Sequence, residues 1–485
     1  MSNLKKAILK GTFWSVFGQF ATLTITLITN IWLARILSPK EFGQLGIIMF
    51  FIAIANVLTE SGLGGALVRK KEATKNDYST VFVVNLLFSF ACYIILVLSS
   101  GFISSFYDDP LIRNLLIVAG AVLIINAFRL TQNAKLISEM RFKERSIYSF
   151  ISSLLSSAIG IYLAYMGFGV WSLVIMQILS ASISTVLLWT LEGFYLRLYF
   201  SKESFRELYS FGINTTLASL LNTGFENIYQ LVLAKYFSIA ETGLYYQAKR
   251  LQDVPGGVIN SLSQNVFFSS LAKLQDDRKA FARVYNKITL YFLVLLGFIS
   301  SFIYLYSEPI ILILLGEKWM GAVFYMQLLT IASFFYVQEQ INRVIFKVFN
   351  KTRTILHLEY LKKFIQAISI LIGVITLDLK ILIIGFVITN AIGYLINFYF
   401  SRKIIGGASK YELIVLFKVM IASTLSVLAT MLVMTIFKLS GFSMLYSIFV
   451  FIIFYLGLSQ IMKIINLPEE FKNLLSLKKI ENNEL

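Results

Sequence analysis

The stretch LAKYFSIAETGLYYQAKRLQDVPGG, residues 233–257, carries a lysine-arginine pair, an aspartate and a Pro-Gly-Gly sequence within a segment otherwise apolar enough to cross a membrane. Its first eleven residues echo LARILSPKEFG, residues 33–43, at a shift of 200 positions without a gap. Leucine, alanine, serine, glutamate and glycine match, and Arg35 corresponds to Lys235. The echo predicts that the chain is built from two copies of one unit.

The composition indicates an integral membrane protein. Hydrophobic residues make up 57% of the 485 positions and charged residues only 14%, whereas soluble globular domains carry about 25% charged residues. Apolar runs of roughly 18 to 28 residues recur along the chain, and one crossing of a bilayer needs about 20. We therefore expect an all-α integral membrane protein with about fourteen transmembrane helices.

The basic residues determine the predicted topology. A net charge of +17 would favour nucleic acid as a partner in a soluble protein, but here the basic residues alternate by loop. Loops rich in lysine and arginine, such as residues 69–75, 135–145 and 273–283, alternate with short loops that carry few. By the positive-inside rule the basic loops and both termini lie in the cytoplasm, which requires an even number of spans.

The spans divide the chain into three parts. They are predicted at residues 12–34, 43–68, 80–104, 112–131, 147–166, 170–191, 209–235, 243–270, 285–307, 321–348, 355–376, 380–400, 412–436 and 443–464. The charged segment RLYFSKESFREL, residues 197–208, is predicted to lie on the inner membrane face and to join the two halves. The predicted parts are a six-helix lobe (1–195), a second six-helix lobe (196–405), and two additional helices with a cytoplasmic tail (406–485). Because the echo spans six crossings, the two copies have the same orientation, as parallel repeats in transporters do.

No catalytic motif is found in the sequence. The chain has one histidine, His357, and one cysteine, Cys92, so a Cys/His metal cluster and an intramolecular disulfide are excluded. A Gly-rich phosphate loop and a large outer loop that could hold a catalytic site are also missing from the sequence. We therefore expect a protein that is not an enzyme.

Four charged residues are predicted inside the membrane at similar depth: Glu226 in the seventh span and Lys249, Arg250 and Asp253 in the eighth. An unpaired charge at the bilayer centre costs from about 2.5 to more than 10 kcal/mol, so these side chains must face protein or water. Their spacing lets Asp253 pair with Lys249 or Arg250. The four either form a neutral structural cluster or line a polar cavity. Pro255 and the two glycines after it favour the cavity, because they predict a kinked or broken helix, tolerated only beside protein or water.

Other charged residues within the predicted spans are placed closer to the inner surface. Arg129 and Arg343 lie near the inner ends of their spans, where long side chains reach the headgroups. Glu339 precedes Arg343 by four residues and can pair with it. Glu60 is a further carboxylate that we count toward charge balance.

Eight motifs, in order along nearly the whole chain, resemble one family of exporters. They are GTFWSVFGQF at Gly11, LARILSPKEFG at Leu33, SGLGGALVRKK at Ser61, NDYSTVFVVN at Asn76, FYDDPLIRNL at Phe106, GVWSLVIMQ at Gly169, ETGLYYQAKRLQDVP at Glu241 and LLGEKW at Leu314. Together they resemble the Wzx-type polysaccharide flippases, in particular the colanic-acid and teichuronic-acid exporter branch of the multidrug/oligosaccharidyl-lipid/polysaccharide exporter superfamily.

The resemblance implies a fold, an activity and partners. The implied fold has two six-helix lobes around a central cavity that open by alternating access. The implied activity moves a polyprenyl-pyrophosphate-linked oligosaccharide from the cytoplasmic to the outer leaflet of the bacterial inner membrane, for synthesis of surface polysaccharide such as lipopolysaccharide. The polymerase and the chain-length regulator of the same pathway are the implied protein partners.

An anionic, hydrated head with a long apolar tail requires a wet cavity with cationic side chains and a lateral opening to lipid. We therefore assign substrate binding to Arg250, Lys249, Arg343 and Arg129, and charge balance or coupling to Glu226, Asp253, Glu60 and Glu339. Because the four-charge cluster sums to zero, phosphate would have to displace a carboxylate, which then takes up H+ or Na+ as the coupling ion. Arg250→Ala is expected to abolish flipping without preventing insertion, and near-normal polymer export in that variant would contradict the assignment.

Two other functions remain open at this point. A cation-coupled multidrug antiporter on the same fold would favour an acidic or aromatic cavity, without a lysine-arginine pair at mid-depth. A membrane polysaccharide polymerase or ligase would be expected to carry a substantial outer loop with arginine and histidine.

Overall fold

The computed structural model describes residues 2–60, 62–70, 72–192, 198–262, 267–405, 410–437, 444–466 and 468. Within these ranges the chain forms seventeen α-helices: α1 (Ser2–Ile36), α2 (Pro39–Glu60), α3 (Leu63–Arg69), α4 (Lys75–Phe106), α5 (Leu111–Ser138), α6 (Phe142–Tyr165), α7 (Val170–Leu191), α8 (Lys202–Tyr236), α9 (Ile239–Leu262), α10 (Phe268–Ala272), α11 (Arg278–Leu305), α12 (Ser307–Leu314), α13 (Ala322–Val348), α14 (Thr352–Thr376), α15 (Leu379–Ile405), α16 (Lys410–Ile436) and α17 (Met444–Ile461). The predicted cytoplasmic tail lies largely outside the described residues.

The helices confirm the predicted all-α membrane fold. Each of the fourteen predicted spans coincides with a long helix, namely α1, α2, α4 to α9, α11 and α13 to α17. In the described ranges, nine of these helices are long and apolar enough by themselves to cross a membrane. Among the others, α9, α13 and α14 contain several charged side chains, which lower the mean hydropathy of these helices. Some of these charged residues are among the predicted site residues.

The structure corrects the predicted second span and bears on two further local predictions. The second span is not one helix, because α2 ends at Glu60 and α3 begins after Gly62, whose φ of 63° is left-handed. The helix is not broken at Pro255, since α9 continues through it to Leu262; a proline removes one hydrogen bond, and the helix tolerates that loss here. Residues 202–208 are the first turns of α8, capped by Ser201, so they continue the helix of the seventh predicted span. Their place on the inner membrane face stays a prediction, and Arg197, at the start of that predicted segment, lies outside the described residues.

The chain divides into two compact units. The first unit contains Met1–Gln247 and Leu312–Gly321, and the second contains Ala248–Ile311 and Ala322–Leu485. The predicted division at residues 195 and 405 stays a prediction.

The first unit packs its helices around an aliphatic core. Within it α4 packs on α5, α1 on α6, α7 on both α5 and α6, and α2 on α8. Ile47, Ile48, Leu115 and Leu116 are fully buried in this core. Such burial stabilises by roughly 1.5–3 kcal/mol for each large aliphatic side chain in water, and inside a membrane close packing takes over that role.

The two echoing motifs form the same local structure. In each copy a long helix ends, two residues follow, and a second helix begins: α1 ends at Ile36 and α2 starts at Pro39, while α8 ends at Tyr236 and α9 starts at Ile239. The copies also meet in the first unit. A Cβ on Gly43 would overlap with the carbonyl oxygen of Ile239, and a Cβ on Gly243 would overlap with that of Pro39. Glycine at these matched positions therefore permits a reciprocal backbone contact.

The second unit has a more aromatic core. Within it α15 packs on α13 and α14, while α16 packs on α11 and α17. Leu293, Tyr394, Phe451 and Tyr455 are almost completely buried there. This packing encloses two charged residues, Glu339 of α13 and Lys362 of α14.

Candidate functional site

In the part of the chain that the structure describes, charged side chains gather between helices in each unit. We call Arg129 and Arg145 of the first unit the arginine pair. We call Glu339, Arg343, Glu359, Lys362 and Lys363 of the second unit the carboxylate network. Each cluster is described separately.

The arginine pair joins α5 to α6. Arg145 donates from Nε to the side-chain oxygen of Asn133 at 2.9 Å. Asn133 follows Arg129 by four residues and therefore lies on the same face of α5. Arg129 interacts electrostatically with Arg145, which repels it, and with Glu60 at the end of α2, which attracts it. The cluster thus sets two cations against one carboxylate.

Amides extend the polar character of this region along α5. Asn126, three residues before Arg129, donates to the side-chain oxygen of Asn56 on α2 at 3.2 Å. The guanidinium groups of the arginine pair offer planar arrays of donors that match phosphate oxygens in two-point hydrogen bonds. Because two guanidinium groups face one carboxylate, the arginine pair is suited to an anionic ligand.

The carboxylate network centres on Glu339 of α13. Its side chain is fully buried, and Lys362 of α14 donates to one of its oxygens at 2.6 Å. Arg343 lies 3.9 Å from the other oxygen and 2.9 Å from Glu359. Gly393 of α15 leaves room for the central pair, since a Cβ there would lie 2.9 Å from Glu339 Oε2.

A second buried pair in the same unit joins α15 to α16. Arg402 contacts Glu412, whose Oε1 accepts hydrogen bonds from Asn342 at 3.2 Å and from Tyr394 at 3.0 Å. Tyr285 of α11 donates to Asn342 at 3.1 Å. Because Asn342 and Arg343 are adjacent on α13, the two buried polar groups of this unit share one helix.

The structure locates the residues predicted from sequence. The expected pairing of Glu339 with Arg343 is confirmed, although each has a nearer partner that the sequence analysis missed, Lys362 and Glu359 respectively. Both missed residues lie within a predicted span and could have been found as intramembrane charges. Arg402 lies between the predicted spans 380–400 and 412–436, and its burial depends on packing.

The four-charge cluster predicted on α8 and α9 stays a prediction. Lys249 and Arg250 are half-buried, whereas Glu226 and Asp253 are exposed. Glu226 belongs to the first unit and the other three to the second. Their proposed roles in binding and coupling are therefore matters for experiment.

Comparison with known proteins identifies the family. Residues 32–324, more than half of the chain, match the family described as "Polysaccharide biosynthesis protein", and the chain belongs to this family. The succinoglycan biosynthesis transport protein ExoT of Rhizobium meliloti (strain 1021) is 24% identical over 314 residues, covering 65% of this chain and 64% of ExoT. The chain thus spans just under two thirds of the length of that relative.

Two further proteins are similar over much of the chain. The lipopolysaccharide biosynthesis protein WzxC of Escherichia coli (strain K12) is 23% identical over 342 residues, which cover 68% of each protein. Among solved structures, the lipid II flippase MurJ in an inward closed conformation matches with a TM-score of 0.73 at 16% identity, over 92% of this chain and 98% of that chain. At this identity the likeness shows a shared fold.

Proposed function

We propose that the chain is a flippase that moves a polyprenyl-pyrophosphate-linked oligosaccharide from the cytoplasmic to the outer leaflet of a bacterial inner membrane by alternating access. Membership of the polysaccharide biosynthesis family supports the pathway. The relative ExoT is named as a transport protein and MurJ as a lipid flippase. These findings favour transport over a polymerase or ligase, and polysaccharide over a drug as the cargo.

The arginine pair is the observation on which the proposed substrate rests. A pyrophosphate group is a compact, multiply charged anion, and two arginines opposed by one carboxylate provide the complementary charge. Asn133 holds the guanidinium of Arg145 in place. We assign the pyrophosphate to Arg129 and Arg145, with Glu60 as the group that balances Arg129 when the substrate is absent.

The test of this site removes both charges while keeping the polar surface. In a host that lacks its chromosomal copy, Arg129→Gln combined with Arg145→Gln should reduce exported polymer at least tenfold. Each charge-assisted hydrogen bond contributes about 1.5–3 kcal/mol, and about 1.4 kcal/mol corresponds to a factor of ten.

Lys143 provides the matched control on the same turn of α6. It is exposed and lies over the ring of Trp14, 5.4 Å from the centroid. Lys143→Gln removes the same charge and should leave export near the wild-type level. If the double variant reaches the membrane in normal amounts and exports normally, the arginine pair does not bind the substrate.

We further propose that coupling to H+ or Na+ occurs at the carboxylate network. Glu339 is fully buried, with Lys362 2.6 Å from one of its oxygens and Arg343 3.9 Å from the other. A carboxylate enclosed in this way responds strongly to any bound cation, because the surrounding dielectric is low. Glu226 and Asp253 remain further candidates for coupling.

The orientation is part of the proposal. Basic loops alternate with short loops of low charge, and the positive-inside rule places the basic loops and both termini in the cytoplasm. The polymerase and the chain-length regulator of the same pathway are proposed partners. Lys249, Arg250 and Arg343 are kept as proposed additional contacts for the substrate.

A further inference from the structure

Two helix C-termini of the first unit cap each other through basic side chains. Arg35, in the last turn of α1, donates from Nε to the carbonyl oxygen of Leu314 at 3.0 Å, and its Nη2 donates to that of Ile313. Both acceptors lie at the end of α12. In return Lys318 donates to the carbonyl oxygen of Arg35 at 2.9 Å. Carbonyl groups in the last turn of a helix lack partners within it and carry partial negative charge, so each end gains from the cation of the other.

A buried tryptophan anchors the same contact. Trp319 is completely buried, and its Nε1 donates to the carbonyl oxygen of Ala34 at 2.8 Å. Its ring meets that of Phe42 edge to face, with centroids 5.4 Å apart. Leu315 is also buried, at 1% exposed. We call residues 312–321 the docked segment.

The docked segment is tied into the second unit at both ends. Its contacts place it in the first unit, yet its chain neighbours Ile311 and Ala322 belong to the second unit. The ten residues are held by the chain at both ends and by their contacts with the end of α1. A change of conformation that moves α12 or α13 therefore either leaves this segment in place or undocks it from α1.

The chemistry of the docked segment allows release. The two cationic donors, Arg35 and Lys318, belong to exposed residues, so water can replace their hydrogen bonds after undocking. Gly316 has a φ of 96°, a conformation that favours glycine. The contact lies at the end of α1 remote from its basic N-terminus, on the outer side in the proposed topology.

We propose that the docked segment is an outer latch, closed in this conformation, that must leave the end of α1 once in each transport cycle. The latch rests on the proposed function, because only a chain that alternates between conformations needs to release it. Its two halves are the cationic caps and the Trp319 anchor. A permanently closed latch stops transport.

Cross-linking tests whether release is required. Since the chain has one native cysteine, Cys92→Ser gives a thiol-free background. In it, Arg35→Cys with Lys318→Cys supplies two exposed thiols that a short, reducible bis-methanethiosulfonate can join. Cross-linking should lower polymer export at least tenfold, with recovery after reduction, and the single-cysteine variants given the same reagent should keep exporting. Equal export before and after cross-linking would overturn the latch.

A labelling experiment tests release of the docked segment directly, in variants that retain both cap residues. Leu315→Cys is buried in the closed latch, whereas Ile313→Cys, at a site 66% exposed, serves as the control in the same segment. A membrane-impermeant maleimide is applied to intact cells with oligosaccharide synthesis either active or blocked by deletion of the first glycosyltransferase of the pathway. Labelling of Leu315→Cys should be at least threefold faster with synthesis active, and that of Ile313→Cys equal in both states.

The outcomes distinguish a failure of the latch proposal from a failure of the flippase proposal. If the wild-type chain restores export and labelling of Leu315→Cys is the same in both states, the latch is wrong and the flippase proposal stands. If the wild-type chain fails to restore export in its own host, the flippase proposal is wrong.

Discussion

Glu339 and Lys362 form an enclosed ion pair between α13 and α14, with 2.6 Å between Oε2 and Nζ. Removing two charges from water costs several kcal/mol each, and replacing a buried pair with apolar residues is often neutral or stabilising. The pair is nevertheless accommodated by Gly393, the position where α15 can approach Lys362 and Glu339 without a Cβ. Under the proposed function, this pair belongs to the proposed coupling site.

A pair of variants distinguishes a structural from a coupling role for Glu339. Glu339→Gln leaves the Lys362 ammonium buried without its carboxylate, so the free energy of unfolding should fall by about 3–5 kcal/mol. Adding Lys362→Met should restore most of that loss. Thermal unfolding of the purified single and double variants measures stability. Polymer export by cells that carry the same variants measures transport.

Export decides between the two roles. If Glu339 takes up the coupling ion, the double variant is stable but still defective in export. Recovery of both stability and export in the double variant would show that Glu339 is purely structural and would remove it from the coupling proposal.

Among the helices, α3, α4 and α8 are joined by one lysine outside the membrane-spanning segments. Lys70, directly after α3, lies 3.0 Å from Asp77 and 2.9 Å from Glu207. Asp77 is itself held by Thr74 in a capping box that begins α4. The start of α8 is thereby fixed against the two earlier helices.

The pH dependence of stability should report this junction. The hydrogen bond to Glu207 raises the pKa of Lys70 above its usual 10.5. A raised pKa means that the stabilisation is complete below pH 10.5 and is lost as the pH rises through the higher folded-state value. Lys70→Gln should lower the free energy of unfolding by no more than about 1 kcal/mol at neutral pH, as expected for a partly exposed pair. The difference in this free energy between the variant and wild type should shrink above pH 10.5.

Thermal unfolding in detergent at neutral and at high pH measures this difference. Lys75→Gln, in the exposed first turn of α4, removes a charge from the same junction and should have little effect at either pH. A loss for Lys70→Gln that is the same at both pH values would show that its charge is not the cause.

At the scale of the whole molecule, the sequence predicts the helices but not the buried charge pairs. Long apolar runs have one low-energy solution in a membrane, a helix, so all fourteen spans were predictable. The echo at positions 33 and 233 likewise predicted matching junctions, because the same residues specify the same helix ends. Pro255 does not break α9, since a proline weakens a helix without always ending it.

The pairing of charges could not be derived from spacing along one helix. Lys362 and Glu339 meet only because α14 and α15 pack beside α13, and Arg145 meets Asn133 across two helices. Such contacts depend on the rotation of each helix about its axis, which apolar runs on all sides leave undetermined. The contacts of the docked segment, which contains the LLGEKW motif, likewise depend on tertiary packing and not on spacing along the chain.

The most direct test of the flippase proposal is flipping in vesicles. The purified protein is reconstituted with radiolabelled polyprenyl-pyrophosphate-linked oligosaccharide from its own host, and the fraction of lipid-linked sugar accessible to an external glycosidase is followed over time. We predict that wild-type protein makes the initially protected fraction accessible, and that Arg129→Gln combined with Arg145→Gln does so at least tenfold more slowly. A rate with wild-type protein equal to that of protein-free vesicles would contradict the account.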